Sequence, residues 1–208
     1  MSRIILDDEA TPSAPASSKT IIYNDSVSKA LTARTSVKPM TLAGILNSSV
    51  AVQAYTTSEI YLTGSALAVP GHLLLAGAIF RWRIVLTKTA GTAIPVFIVR
   101  IGTLGTTGDA AIVTFTGFAG ATSATDTAWV DIEFIIRTIG ASATSEGAIR
   151  MNHALAATGF SNLTMAVERK DGTTFNSTTA ALIAGVTFNH STAGAGNIEM
   201  VSAELINC

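Results

Sequence analysis

The segment IFRWRIVL, residues 79–86, has the clearest periodicity in the chain, because apolar and basic side chains alternate along it. Successive side chains of an extended strand point to opposite faces, so a period of two separates a buried face from a solvent face. Arg81 and Arg83 occupy one face, and the other face is formed by Phe80, Trp82, Ile84 and Leu86. We therefore predict a β-strand whose apolar face, Trp82 included, packs in a hydrophobic core.

Further segments of the same kind follow this strand. WVDIEFIIRTI, residues 129–139, alternates in the same way, and VFIVRI, residues 96–101, is apolar on both faces except at Arg100, as in a central strand. Glycine- and threonine-rich turns separate such segments from residue 55 to residue 206, and Asp171-Gly172 predicts a tight hairpin turn. Helical periodicity is nearly absent. The sequence predicts an all-β fold, an antiparallel β-sandwich that is jelly-roll-like.

The first fifty residues lack this alternation. Pro12 and Pro15 fix φ and favour extended conformations at the residues before them. We predict an extended N-terminal arm and connector over residues 1–50 and a β-sandwich domain over residues 51–208. Ordering such an arm costs conformational entropy, which a binding partner can offset. The side chains expected to bind that partner, besides the two prolines, are Ile4, Ile5, Leu6, Ile21, Ile22 and Tyr23.

The amino-acid composition limits the classes of partner that the protein is expected to bind. The chain has 208 residues, of which 48% are hydrophobic and only 13% charged, and its net charge is −1. This balance gives no electrostatic reason to bind nucleic acid or an anionic membrane, and the longest nearly apolar run, residues 66–80, is interrupted by Pro70, Gly71 and His72. A surface so poor in charge suits a packed protein assembly. The lone cysteine, Cys208, has no internal disulfide partner, and its role is open.

Catalytic, cofactor and metal signatures do not rise above background. His72, His153 and His190 are too scattered for metal-ligand spacing, so we expect loop or cross-strand roles for them. GTLGTTG, residues 102–108, lacks the Lys-Ser/Thr ending of a phosphate loop, and no G-x-S-x-G elbow is present. Asp131 and Glu133 have a spacing that a carboxylate pair could use, but it is also the spacing of any solvent-facing strand. We therefore predict a protein that is not an enzyme and uses no cofactor and no metal.

Three further residues are candidates for a subunit interface. Trp129 has the opposite parity to Val130 and Ile132, so it should lie outside the core, at an interface, a strand end or a ligand site. Arg81 and Arg83 also face outward. We expect these arginines, together with Arg100, to pair with Asp131, Glu133 or Glu168 across strands or to contact a neighbouring subunit.

The segment TPSAPASSKTIIYNDSVSKALTART, residues 11–35, resembles a start common in tailed-bacteriophage virion structural proteins, where a Pro/Ala segment leads into a short apolar strand ending in Tyr. YLTGSALAVP, residues 61–70, FRWRIVLTKTAGTAIPVFIVRIGT, residues 80–103, and DTAWVDIEF, residues 126–134, are similar to the β-rich bodies of phage virion proteins. This resemblance covers about three quarters of the chain. It implies a location in the virion after synthesis in the host bacterial cytoplasm, and it brings no catalytic residues.

The resemblance implies two functions that stay open at this point. The first is a capsid cement, or decoration, protein that clamps neighbouring major-capsid subunits through its N-terminal arm and stabilises the head. The alternative is a tail-fibre or head-fibre protein with a receptor-binding β-knob, which would bind a host-surface glycan. Members of this kind usually form trimers, so the expected partners are the major capsid protein and further copies of the chain in a homotrimer. Whether the chain belongs to the head or the tail does not follow from the sequence.

Overall fold

The computed structural model describes residues 8–9, 21–25, 31–34, 39–41, 45–70, 74–90, 94–118, 124–155, 159–161, 163, 165–178, 181–190 and 194–206. Every regular element in these ranges is a β-strand, and in them no helix has the length and apolar character needed to cross a bilayer. The first eight strands are β1 (Asp8–Glu9), β2 (Ile21–Asp25), β3 (Leu31–Arg34), β4 (Pro39–Thr41), β5 (Ile45–Ser48), β6 (Gln53–Tyr55), β7 (Ile60–Tyr61) and β8 (Leu67–Pro70). The longer strands follow as β9 (Ile79–Ala90), β10 (Pro95–Gly102), β11 (Ala110–Phe115), β12 (Asp126–Ile136), β13 (Ser145–His153), β14 (Met165–Asp171), β15 (Ala181–His190) and β16 (Ala195–Ile206).

The larger sheet is antiparallel and has the order β14-β13-β12-β9-β16-β5, with β6 also paired to β16. Strand β9, which carries the alternating segment, lies near its centre between β12 and β16. Its register places Trp82 beside Ile132 and Phe80 beside Phe134. Apolar side chains of neighbouring strands therefore share one face of this sheet.

The smaller sheet is also antiparallel and has the order β11-β10-β15-β7, with β8 paired to β15. Its two central strands are β10 and β15, and both are apolar on nearly every position. Phe97 and Val99 of β10 point into the core, and Ile98 is buried on the opposite face. The double burial explains why the sequence of β10 shows a continuous apolar run rather than an alternation.

The core lies between the two sheets. Trp82 has no exposed surface, stacks on Phe80 with ring centroids 5.8 Å apart, and donates its indole N–H to the carbonyl oxygen of Ser65 at 2.8 Å. From the smaller sheet, Phe188 packs edge-on against Tyr55 and also contacts Phe97. The predicted antiparallel sandwich and the predicted burial of Phe80, Trp82, Ile84 and Leu86 are confirmed. The jelly-roll-like connectivity stays a prediction.

Strands β1 to β4 form a third, small sheet in that order, in which β1 and β2 are parallel. None of these four strands is hydrogen-bonded to the strands of the sandwich within the described ranges. The next strand, β5, pairs with β16 at the edge of the larger sheet. The boundary expected at residues 50/51 stays a prediction, as does the extended arm, and the larger sheet takes in residues 45–48 from the N-terminal side of that boundary.

The hairpin predicted at Asp171-Gly172 is wrong. Strand β14 ends at Asp171, and the next strand, β15, pairs with β10 in the other sheet. Gly172 instead donates its backbone N–H to the carbonyl oxygen of Ser145 at 2.9 Å. A Cβ atom at position 172 would lie 2.2 Å from the Ser145 hydroxyl oxygen, so the glycine permits a close approach of two chain segments.

Candidate interaction surface

On the outward face of the larger sheet, the side chains stand in rows across the strands. Each row is fixed by the strand register, because directly opposed residues point to the same side of a sheet. One row contains Met165, Asn152, Trp129, Val85 and Met200. The next two rows contain Val167, Arg150, Asp131, Arg83 and Ser202, and then Arg169, Ala148, Glu133, Arg81 and Glu204.

The first of these rows, which we call the apolar row, is exposed to an unusual degree. Met165 is 58% exposed, Trp129 43% and Met200 38%, and Val167 in the adjacent row is 68% exposed. The indole N–H of Trp129 donates to Asp131 Oδ1 at 3.2 Å, which tilts the ring toward the charged rows. Asn152 lies between Met165 and Trp129 in this row, so the exposed apolar side chains form two groups, Met165 with Val167 and Trp129 with Met200. Exposed apolar groups on one face of a sheet indicate a binding surface.

The charged rows form a ladder of ion pairs between β9 and β12. Arg81 Nε lies 2.7 Å from Glu133 Oε1, and Arg83 Nε lies 3.6 Å from Asp131 Oδ1. Arg150 on β13 adds a second guanidinium to Asp131, at 2.7 Å. A groove of about 470 Å³ runs over this ladder and is also lined by Val167. The expected cross-strand pairing of Arg81 and Arg83 with Glu133 and Asp131 is confirmed.

A second set of charges lies near the edge of the same face. Glu146 on β13 contacts Arg169 on β14 and Arg137, which follows β12. The hydrogen bonds from Arg169 and Arg137 lower the pKa of the Glu146 carboxyl to about 2. This carboxylate therefore stays ionised at pH values well above 2.

Arg100 does not join this surface, so its expected pairing with Asp131, Glu133 or Glu168 is wrong. It lies on β10, in the smaller sheet, where its guanidinium forms two hydrogen bonds with Glu59, Nε to Oε1 at 2.8 Å and Nη2 to Oε2 at 3.0 Å. Its Nη1 donates to the carbonyl oxygen of Asp109 at 2.6 Å. Sequence reasoning did not place β10 and β12 in different sheets. The sheet in which Arg100 lies decides which carboxylate its guanidinium can reach.

A compact group of buried polar residues lies at one end of the sandwich. Lys88 is fully buried opposite Asp126 in the β9–β12 register, and its Nζ donates to the carbonyl oxygen of Gly159 at 2.6 Å. Burial lowers the pKa of the Lys88 ammonium, and the Asp126 carboxylate opposes that shift. His153 Nδ1 lies 2.7 Å from Asp126 Oδ2, and the Nε2 atom of the same ring contacts the carbonyl oxygen of Leu163.

Asp126 is held by the backbone as well as by His153. Its Oδ1 atom accepts the N–H groups of Thr127 at 2.8 Å and of Ala154 and Leu155 at 3.2 Å, and its Oδ2 atom accepts that of Phe160 at 3.1 Å. With both ring nitrogens of His153 engaged, that ring keeps no free lone pair for a general base. The group braces strand ends and the loop after β13. The cross-strand role expected for His153 is confirmed.

His190 completes this end of the core. Its ring packs against Tyr55, Phe160 and Phe188, and among the described atoms neither ring nitrogen has a hydrogen-bond partner. Burial, with a smaller contribution from the Lys88 cation, lowers the pKa of His190 to about 4. Within the described ranges no group of three or more His, Cys, Asp or Glu side chains could hold a metal ion.

The structure brings together only some of the predicted site residues. Trp129, Arg81 and Arg83 share the outward face of the larger sheet, and their role at a subunit interface stays a prediction. Ile21, Ile22 and Tyr23 lie in β2, and the contacts of their side chains fall outside the described part of the structure. The remaining predicted residues lie outside the described residues: Ile4, Ile5, Leu6, Pro12 and Pro15, together with His72 and Cys208.

Sequence reasoning missed the apolar partners of Trp129. The exposure of Met165 and Val167 on an edge strand was not predicted. The segment MAVERKD, residues 165–171, has charged residues on both parities, Arg169 and Asp171 on one and Glu168 and Lys170 on the other, so the sequence does not distinguish its two faces.

Comparison of the chain with protein-family models, with curated proteins and with solved structures finds no match.

Proposed function

We propose that this protein is a non-enzymatic structural protein of a virion that acts by binding other protein subunits. In the simplest form it is a capsid cement protein, which clamps neighbouring major-capsid subunits through its N-terminal arm. The observation that carries the proposal is the outward face of the larger sheet, where an exposed apolar row adjoins a ladder of arginines and carboxylates. The resemblance of the arm and body to phage virion proteins is the reason for proposing the virion as its location.

The composition of this face favours a protein partner. Tryptophan, methionine and arginine are enriched at protein–protein interfaces, and Trp and Arg dominate their binding energy. Trp129, Met165 and Met200 lie in one row beside Arg83 and Arg150. A ligand site for a small molecule is usually lined by apolar side chains with a few polar groups, whereas the groove on this face is lined largely by paired charges.

The buried polar group supports a role as scaffold. Lys88, Asp126 and His153 are the ionisable residues that a catalytic site could use, and each is hydrogen-bonded to backbone groups that it holds in place. Such an arrangement fixes loops at one end of the sandwich. All three side chains are buried.

The arm is proposed to supply the attachment to the capsid. It carries six apolar anchors, and burying three of them on a partner would contribute on the order of 5 kcal/mol before the cost of ordering. Several arms in one oligomer multiply that contribution through effective concentration. Apolar strands and proline-rich segments dock by adding a strand to a sheet edge or by filling a groove.

The experiment that tests this function adds protein back to virions that lack it. Full-length chain and a variant without residues 1–25 are compared for occupancy, by sedimentation, and for their effect on the melting temperature of the particle. Cement requires a high copy number on the head, raised particle stability with the full-length chain, and no occupancy by the truncated chain. Full occupancy by the truncated chain would mean that the sandwich does the binding. Normal head stability with lost adsorption to cells would establish the receptor-binding alternative instead.

A further inference from the structure

The outward face of the larger sheet has its charges arranged in stripes along the strands. Strand β12 presents two carboxylates, Asp131 and Glu133, which we call the negative stripe. The adjacent strand β9 presents Arg83 and Arg81 directly beside them, which we call the positive stripe. Arg83 is 61% exposed at its side chain and Glu133 59%, so both stripes retain surface for a further partner although each is paired within the chain.

Such a striped face is complementary to a second copy of itself in one orientation. A two-fold axis that lies in the plane of the face, between β9 and β12 and parallel to them, places β9 of each copy over β12 of the other. The positive stripe of one copy then faces the negative stripe of its partner on both sides of the axis. A two-fold axis perpendicular to the strands would instead place β12 on β12 and set Asp131 and Glu133 against the same carboxylates of the other copy.

The same rotation also matches the other rows. Because the axis runs along the strands, each row stays at its own height, and the apolar row of one copy meets the apolar row of the other. Trp129 on β12 is placed over Val85 on β9. Strand β13 is placed over β16, so that Arg150 of one copy approaches Glu204 of the other on a neighbouring row. Apolar contact and charge pattern therefore agree on one arrangement.

We propose that this face is an isologous, two-fold interface between two copies of the chain, with Arg83 over Asp131 and Trp129 over Val85 in both directions. The proposal rests on the protein-binding function proposed for this face and names its partner. In an isologous contact each residue pair occurs twice, so every favourable contact is doubled. The contact differs from the three-fold contact implied by the resemblance, which joins two different patches of the surface.

Charge reversal at two positions tests the contact with full-length protein in sedimentation-equilibrium measurements. Arg83→Glu sets the new carboxylate against Asp131 of the partner at two places, and Asp131→Arg sets the new guanidinium against Arg83 at two places. Each variant alone places like charges opposite each other at two positions of the interface, so it should dimerise at least about a hundredfold more weakly than wild type. An equimolar mixture of the two variants should dimerise again, because both facing pairs are then of opposite sign.

Thr107→Glu is the matched control, since Thr107 is exposed in the turn between β10 and β11 of the smaller sheet, outside this face. It should leave the dimer intact, and circular dichroism should show the same fold for all three variants. If either reversal fails to fold, Trp129→Ala replaces it and should weaken the dimer without loss of fold. A monomeric wild-type chain, a trimer insensitive to both reversals, or a mixture that stays monomeric would each overturn the proposal.

The test of the two-fold contact and the test of the proposed cement function can fail independently of each other. A chain that is monomeric in solution but occupies and stabilises particles would remove the two-fold contact and leave the cement role. A chain that forms the charge-dependent dimer but never binds a particle would establish the contact and remove the cement role.

Discussion

Asp126 Oδ2 and His153 Nδ1 lie 2.7 Å apart, and neither side chain has any exposed surface. The other ring nitrogen of His153 contacts the carbonyl oxygen of Leu163. The carbonyl oxygen of Leu163 can only accept a hydrogen bond, so the imidazole donates to it from Nε2. The pair joins the start of β12 to the end of β13 and to the segment beyond it.

The first prediction concerns the loss of this buried carboxylate. Asp126→Ala should lower the free energy of unfolding by about 3–5 kcal/mol, because the buried His153 ring and several backbone N–H groups lose their hydrogen-bond partner. Asp171→Ala is the matched control, since Asp171 pairs with Arg169 at the exposed edge and should cost at most about 1 kcal/mol. Urea denaturation of both variants measures the difference. Equal losses would show that the buried pair does not brace the fold.

The second prediction uses the two tryptophans as a pair. Trp82→Ala should cost roughly 3–5 kcal/mol and give poorly soluble protein, because a fully buried ring and its hydrogen bond to Ser65 are lost. Trp129→Ala should leave the melting temperature of a dilute, monomeric sample nearly unchanged, because that ring is 43% exposed. Thermal unfolding followed by circular dichroism distinguishes them. An unchanged melting temperature for the Trp82 variant would contradict the position of this ring in the core.

The faces of the long strands could be predicted from the sequence because burial on one side of a strand imposes a period of two. The same reasoning applied to Phe80–Leu86 and to Val130–Ile136 gives the inward side chains that the structure shows. Sheet membership could not be predicted in this way. Asp171-Gly172 has the composition of a hairpin turn, yet Gly172 contacts Ser145 and the next strand, β15, pairs with β10 in the other sheet.

The buried polar group was not predicted, although the parity of the strands contains a signal for it. Lys88 has the inward parity of Ile84 and Leu86, and Asp126 has that of Ala128 and Val130. When each strand is considered alone, the rule that charged side chains face solvent is preferred to the parity. A charged residue at an inward position is then wrongly expected on the surface. Only the register, which places Lys88 opposite Asp126, shows that two opposite charges on inward positions compensate each other.

The third prediction separates the fold from the arm. A chain without residues 1–25 should unfold with the same midpoint as the full-length chain, because the strands of both sandwich sheets begin at residue 45 or later. Truncation removes β1 and β2 and so disrupts only the small N-terminal sheet. Chemical denaturation of the two chains under the same conditions is the measurement. A large loss of stability would mean that the N-terminal segment packs on the sandwich and is part of its fold.

The fourth prediction is a loss of stability in acid that comes from His190. Burial lowers the pKa of His190 from 6.5 to about 4, so in the folded state the ring resists protonation. Above pH 6.5 the ring is neutral in both states and contributes no pH dependence. As the pH falls from 6.5 toward 4, the unfolded chain takes up the proton first, and the folded state loses stability by up to about 3 kcal/mol.

A variant at this position isolates the effect from that of other titrating groups. His190→Leu places an apolar side chain of similar size among Tyr55, Phe160 and Phe188 and removes the titrating ring. The free energy of unfolding is measured for both proteins at intervals from pH 7 to pH 4. The wild type should lose more stability than the variant over this range, and the difference should grow steadily as the pH falls. Parallel curves would show that the His190 ring is protonated as easily in the folded protein as in the unfolded chain, which would contradict its burial beside Lys88.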